Sequence, residues 1–322
     1  MFRTELKIPD RTEIIDLTTP IFSIGSCFAN VMGERFLENK MQAMVNPFGV
    51  IFNPISIARI LKATIDNTPH LLFEFTETEN GWFSFHLHSD IYADTPSGLE
   101  TIIRKKTQES HEFLIRSKIL IITLGTAYIY RLNQNNIPVA NCHKVPSAAF
   151  TKDLLKVDDI IVEMNEAIQA LRSINKDIQI ILTVSPVRHI KDTLTLNSVS
   201  KSVLRVATHE LAEQNKEIIY FPSYEMMMDD LRDYRFYKED MIHPSPVAED
   251  YIWEKFKQAY MTDTTIQFIE EWASVRKAMT HKAFRPESEA HKKFIKATID
   301  RLKKLSQHVN LDNEIREMQS KL

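Results

Sequence analysis

Glycine is nearly missing from this chain, with six among 322 residues, where average usage would be about 7%. That scarcity excludes glycine-rich low-complexity and collagen-like architectures. It also implies that each glycine stands where a side chain would not fit. Cysteine is scarcer still. Cys27 and Cys142 are the only two, too few for a disulfide-stapled scaffold, and they suit a reducing compartment. No stretch reaches the ~18 uninterrupted apolar residues of a membrane-spanning helix. The first sixteen residues are charged throughout and have no apolar signal core. A cytoplasmic protein without a membrane span is therefore expected. Strong charge is lacking too: the net value is -3, so no basic field recruits nucleic acid or acidic lipid.

What is present is ordinary for a globular chain: 43% hydrophobic and 26% charged residues. Four short apolar runs read as buried strands: 20–24, 118–124, 178–184 and 217–221. Between them, helical periodicity is expected over 28–40, 56–63, 99–116, 154–174, 199–215 and 246–259, with Ser56 as an N-cap. Alternation of aromatic residues over 70–95 suggests an inserted β-hairpin. Strands alternating with helices predict βαβ units around a parallel sheet, whose ligands collect at the carboxyl ends of the strands.

From Thr264 the composition shifts to 12 basic against 8 acidic residues, without glycine. Helical spacing of Ile266, Ile269, Trp272, Val275 and Met279, and of Ile295, Ile299, Leu302 and Leu305, predicts a helical appendage. It packs on the core or on a second copy as a homodimer. The expected organisation is an α/β domain over 1–260 and a helical extension over 261–322.

Chemistry-bearing residues gather at the expected strand ends. Gly25-Ser26-Cys27 places a small nucleophile on a sharp strand-to-helix turn. There the helix N-terminus favours negative charge and lowers a thiol pKa. A buried, inert cysteine is the plain alternative. Asp240-Met241-Ile242-His243 can fold so that the carboxylate orients the imidazole. Asn141-Cys142-His143-Lys144 offers an alternative base, a second thiol or a substrate contact. A metal at Cys27, Cys142 and His143 lacks a fourth ligand and the usual paired spacing. Ser185-Pro186-Val187-Arg188-His189 and the following Asn197–Lys201 stretch could contact an anionic or sugar substrate, or form a solvated rim.

The string Gly25-Ser26-Cys27-Phe28-Ala29 resembles the signature of the GSCFA family. The similarity continues through Asn46-Pro-Phe-Gly49, Leu124-Gly-Thr126, Asn141-Cys-His-Lys144, Ser185-Pro-Val-Arg-His189 and Asp240-Met-Ile-His243, over roughly 20–257. That family is grouped with the SGNH/GDSL hydrolases. The resemblance thus implies a flavodoxin-like three-layer α/β/α fold and hydrolysis or transfer of ester-linked acyl groups, with an O-acyl carbohydrate as one substrate class. It places Cys27 as nucleophile, with Ser26 as its competitor, and Asp240 and His243 as the acid–base pair. Gly49 matches the oxyanion glycine of the second block. The third block departs: Gly125-Thr126-Ala127-Tyr128 lacks the usual asparagine, leaving Thr126 or Asn141 as substitutes. Arg188 and His143 complete the expected substrate contacts. No metal or organic cofactor is expected. Two alternatives stand beside this reading: a non-catalytic ligand-binding module on the same fold, and a thiol-dependent hydrolase using Cys27 with His143.

Overall fold

The computed structural model describes residues 4–8, 13–282 and 284–322. The chain begins its ordered core with β1 (Ile21–Gly25), α1 (Cys27–Glu38), β2 (Ala43–Val45) and α2 (Pro54–Ile65). A small antiparallel sheet follows: β3 (Phe75–Thr78), β4 (Gly81–Ser84) and β5 (Tyr92–Ala93). After α3 (Pro96–Arg116) comes β6 (Ile119–Leu124), then β7 (Tyr128–Leu132), β8 (Ile137–Val139) and β9 (Phe150–Leu154). Next are α4 (Val157–Ile174), β10 (Gln179–Val184), α5 (Thr193–Gln214), β11 (Ile218–Tyr220), a short α6 (Ser223–Glu225) and α7 (Pro246–Tyr260). Three helices end the chain: α8 (Asp263–Met279), α9 (Glu289–Leu305) and α10 (Asp312–Gln319).

The central sheet runs β11-β10-β6-β1-β2 and is parallel throughout. Counting only its own strands, this is the 2-1-3-4-5 order of flavodoxin-like folds. Successive side chains of a strand point to opposite faces, so each central strand feeds two cores. Phe22, Ile24, Leu120, Ile122, Leu124, Ile180 and Leu182 join a cluster with residues of α2, α3, α4 and α5. Ile21, Ile119, Ile121 and Ile181 join the opposite cluster with α1, α7 and the C-terminal helices. The result is the three-layer α/β/α architecture that the alternating pattern predicts.

Several boundaries differ from the sequence expectation for local reasons. The N-cap of α2 is Asn53, not Ser56: the Asn53 side chain accepts from the Ser56 N–H, and Pro54 occupies the first turn, where its missing donor costs nothing. α4 starts at Val157, not 154, because Phe150–Leu154 pairs antiparallel with β7. The insertion after α2 forms three strands. A second three-stranded sheet, β8-β7-β9, falls in a stretch where no strand is expected from the sequence.

The terminal helices pack on this chain's own core. Ile269, Trp272, Val275, Ile295, Ile299 and Leu302 are buried in the same cluster as Phe36, Trp253 and Phe256. The Trp272 indole donates to the Glu38 carbonyl at the end of α1 (2.8 Å), and Arg276 pairs with the Glu38 carboxylate (3.2 Å). The apolar stripes of α8 and α9 are therefore covered within the chain. Among the described residues no helix is long and apolar enough to cross a membrane.

Candidate active site

The strand register sets the site. Gly25 pairs with Thr123, and Val184 pairs with Leu124. The carboxyl ends of β1, β6 and β10 thus finish side by side. Gly25 has φ +145°, and a Cβ there would lie 2.2 Å from the Thr123 carbonyl oxygen. Only glycine allows β1 to approach β6 so closely before turning into α1. The Gly25 N–H donates to the buried Asn46 side chain (2.8 Å), whose amide donates in turn to Asn30 (2.6 Å). The Asn46–Gly49 segment is thereby tied to the turn.

Ser26 caps α1 with its backbone. Its hydroxyl is fully buried and has no hydrogen-bond partner among the described residues. Cys27, the first residue of the helix, is half-buried. Burial pushes its thiol pKa up. The positive charge of Lys201 opposes that shift, as do the Cys27 and Phe28 backbone N–H groups and Lys238. Those two N–H groups belong to the first helical turn, which has no intrahelical acceptors for them.

The Asp240–His243 segment adopts the orientation that its spacing suggests. Met241 takes the left-handed conformation (φ 58°). Asp240 Oδ1 accepts the N–H groups of Ile242 and His243 (2.8 and 3.0 Å), and Oδ2 accepts from His243 Nδ1 (2.7 Å). The backbone and side-chain hydrogen bonds from His243, with that from Ile242, hold the Asp240 pKa down to about 2. With Nδ1–H held by a carboxylate, Nε2 carries the lone pair and can accept a proton. The segment is docked on the end of β10 through the Arg188 N–H, which donates to the Ile242 carbonyl (3.2 Å). The Arg188 guanidinium stacks 3.9 Å from the Tyr237 ring centroid, on the rim.

His189 and Lys201 complete the rim. The His189 ring meets Phe52 edge-to-face at 5.3 Å, the His189 backbone N–H donates to Asn197 (2.9 Å), and the ring Nε2 is buried without a partner among the described residues. Burial, with the charges of Lys201 and His243 nearby, lowers its pKa to about 4. A neutral buried histidine must charge on unfolding in acid. Its stabilisation is complete above about pH 6.5 and is lost as pH falls toward 4. The chain is expected to lose about 2–3 kcal/mol from this group between pH 7 and 4.5. Urea titrations at the two pH values should show His189→Gln losing correspondingly less.

Other expected residues sit elsewhere or are already engaged. The Gly49 N–H donates to the Asn46 carbonyl (2.8 Å), which occupies the donor assigned to the oxyanion. The Thr126 N–H donates to the Phe52 carbonyl (3.1 Å), and its hydroxyl bonds with Ser200 (3.0 Å). Asn141 and His143 line a different cavity, of about 870 Å³, between the β3-β4-β5 sheet and the 141–146 loop. His143 Nε2 bonds the Ser84 carbonyl (2.7 Å), and its ring stacks on Phe83 at 4.9 Å. These contacts remove support for His143 as the partner of Cys27. The structure adds Asn46 and Lys201, which the sequence marked only as members of polar motifs; His189 was, with Arg188, a candidate contact for an anionic or sugar substrate.

A parallel five-stranded sheet, with Cys27 opening a helix after β1 and the Asp240–His243 segment docked on the end of β10, defines an α/β protein with the flavodoxin-like strand order. The GSCFA family model matches residues 20–256, and the model of the GSCFA C-terminal domain matches 272–322; the chain belongs to the GSCFA family. No curated protein matches the sequence significantly. Among solved structures, a Streptococcus pneumonia protein provisionally named a platelet activating factor is 11% identical, with 75% of this chain and 86% of that chain covered and a TM-score of 0.39. A carbohydrate esterase family 3 protein from Talaromyces cellulolyticus is 10% identical over 79% of this chain and 99% of that one, with a TM-score of 0.36. The acetyl xylan esterase Est2A from Butyrivibrio proteoclasticus is 11% identical over 76% and 63%, also at 0.36. The fold assignment rests on strand order and register rather than on these distant likenesses.

Proposed function

We propose that this protein is an SGNH-type esterase or acyltransferase that uses Cys27 as nucleophile. One observation supports the reading: Asp240 holds His243 Nδ1 in a segment tied to the carboxyl end of β10, the edge of the sheet at which the half-buried Cys27 opens α1 after β1.

The thiol proton passes to His243 Nε2 as Sγ attacks the acyl carbonyl carbon. Asp240 holds Nδ1–H and stabilises the imidazolium. The carbonyl electron pair moves to oxygen, where the Cys27 and Phe28 N–H groups face the developing charge, aided by the helix dipole. As the intermediate collapses, the carbon–oxygen ester bond breaks, and the leaving oxygen takes the proton from His243. A thioester remains on Cys27. Water, for hydrolysis, or a second alcohol, for transfer, then attacks the thioester carbon and gives its proton to His243; the carbon–sulfur bond breaks, and the Cys27 sulfur takes that proton back. An O-acyl group on a small molecule or carbohydrate is the proposed substrate class.

Hydrolysis of p-nitrophenyl acetate tests the pair. His243→Ala and Asp240→Asn are each expected to lower kcat/KM by about 10²- to 10⁴-fold, with unchanged circular dichroism. His143→Ala is expected to leave the rate within a few-fold. The opposite pattern would transfer the base role to His143. No turnover by the wild type across short acyl esters and acceptors would favour the binding-module alternative.

A further inference from the structure

The two faces of the β3-β4-β5 sheet have different neighbours. Residues directly opposite in an antiparallel pair share a face. Trp82 opposes Ala93, and with Phe75 they pack against the core of the central sheet. Phe83 opposes both Thr76 and Tyr92, which puts these three on the other face. That face is one wall of the cavity of about 870 Å³, and the 141–146 loop is the other. Such a volume falls within the range of about 300–1,000 Å³ typical of small-molecule sites.

The walls are fixed to each other, so the cavity is formed before any ligand arrives. The Ala140 N–H donates to the Phe85 carbonyl (2.7 Å). The Asn141 amide donates to the Ser89 hydroxyl (3.0 Å), and its oxygen accepts the His143 N–H (2.9 Å). His143 and Lys144 are both left-handed, with φ 48° and 61°, a conformation costing roughly 1–3 kcal/mol in residues other than glycine. The cavity also adjoins the Asn46–Gly49 segment. Ser89 on its wall follows His88, whose N–H donates to the Phe48 carbonyl (3.2 Å) and whose Cβ fills the space beside Gly49.

Aromatic surface and spare polar atoms meet here. Phe83 stacks with both Tyr92 (ring centroids 5.7 Å apart) and His143 (4.9 Å). Tyr92 is 52% exposed, which leaves ring area for a ligand. His143 is 5% exposed, and its Nε2 donates to the Ser84 carbonyl. Its Nδ1 is therefore an acceptor, without a partner among the described residues. Asn141 keeps one N–H and one oxygen lone pair beyond the bonds just named. The charged residues on the walls are Glu77, Glu79 and Lys144. Two carboxylates against one ammonium disfavour an anion. A pyranose has an apolar face of C–H groups, which fits an exposed ring, and a rim of hydroxyls, which both donate to and accept from amides and carboxylates.

We propose that the cavity between the β3-β4-β5 sheet and the 141–146 loop binds a neutral saccharide, with one sugar ring laid against Tyr92 and hydroxyls bonded to Ser89, Asn141 and Glu79. The proposal stands apart from the assignment of Cys27 as nucleophile.

Saturation-transfer NMR on the full chain tests it, with cellotriose, xylotriose and tri-N-acetylchitotriose as probes and adenosine and inorganic phosphate as competitors. At least one saccharide is expected to bind with a Kd of about 0.1–1 mM. Tyr92→Ala should weaken that binding roughly tenfold, whereas Tyr92→Phe, which keeps the ring, should stay within about threefold. Binding of none of the saccharides overturns the proposal, and so does binding that folded Tyr92→Ala leaves unchanged. Tighter binding of adenosine or phosphate than of every saccharide overturns it as well. Should Tyr92→Ala fail to fold, carbon-13 NMR of the tyrosine rings decides. The Tyr92 signal, identified by its loss in Tyr92→Phe, should shift on adding the saccharide, and an unmoved signal overturns the proposal. The two readings fail separately. Saccharide binding with full esterase activity in Cys27→Ala would sink the nucleophile assignment alone. Loss of activity in Cys27→Ala without saccharide binding to the wild type would sink the cavity proposal alone.

Discussion

Cys27→Ala is expected to reduce kcat/KM for p-nitrophenyl acetate by about 10³-fold or more, equivalent to roughly 4 kcal/mol of transition-state stabilisation. Ser26→Ala should stay within a few-fold of wild type. Both residues are small and lie on the same turn, so the pair of variants separates two adjacent candidates with little change in packing. The physical difference is access. The Ser26 hydroxyl is enclosed, whereas Cys27 is half-buried beside its own and the Phe28 N–H groups. A nucleophile must meet a substrate carbon at about 3–3.5 Å, and the enclosed hydroxyl has no open side from which to do so. Steady-state kinetics with both variants, together with mass spectrometry of an acylated peptide containing residue 27, provides the measurement. A full loss in Ser26→Ala with activity retained in Cys27→Ala would reverse the assignment.

The second large effect is structural. Gly25→Ala is expected to destabilise the fold by about 3 kcal/mol or more, seen as a Tm lower by roughly 6–12 °C. Two penalties coincide at this position. A φ of +145° is a conformation that L side chains rarely adopt, and the added Cβ would meet the Thr123 carbonyl oxygen at 2.2 Å and its carbon at 2.8 Å. The obstructing atoms are main chain in the next central strand, so they cannot rotate away. Gly98→Ala is the matched control. There the nearest atoms are the Thr95 hydroxyl oxygen at 3.1 Å and the Ala93 Cβ at 3.3 Å, in the exposed first turn of α3. Its Tm should change by no more than a few degrees. Equal melting of the two variants would show that β1 and β6 can separate at their tips.

The central sheet was legible because its chemistry is local. Ile119–Leu124 is apolar at almost every position, as a strand covered on both faces must be, and α3 and α5 carry periodic apolar stripes. The strand-end turn was legible because glycine is so rare that Gly25 stood out. The β8-β7-β9 sheet was not. Tyr128–Leu132 is half-buried on its polar side, and its partners come from segments that read as loops. Oxyanion assignments at Gly49 and Thr126 followed motif position, yet backbone donors are spent by whichever carbonyl lies nearest, here those of Asn46 and Phe52. Lys201 escaped because a lysine on a helix reads as solvent-facing. Its burial is decided only when α5 docks across the strand tips. His143 stood in a motif of the same order as the site residues, but the antiparallel sheets carry it to another cavity.

The bond between the Trp272 indole and the end of α1 also bears on aim. α1 is a rigid rod of about 18 Å, with the sulfur at its muzzle and Glu38 at its breech. Each degree of play at the breech would swing the muzzle by about 0.3 Å, and misplacement by 1 Å can cost a hundredfold in rate. By clamping the breech, the terminal helices act as a gun-mount for the thiol at the other end.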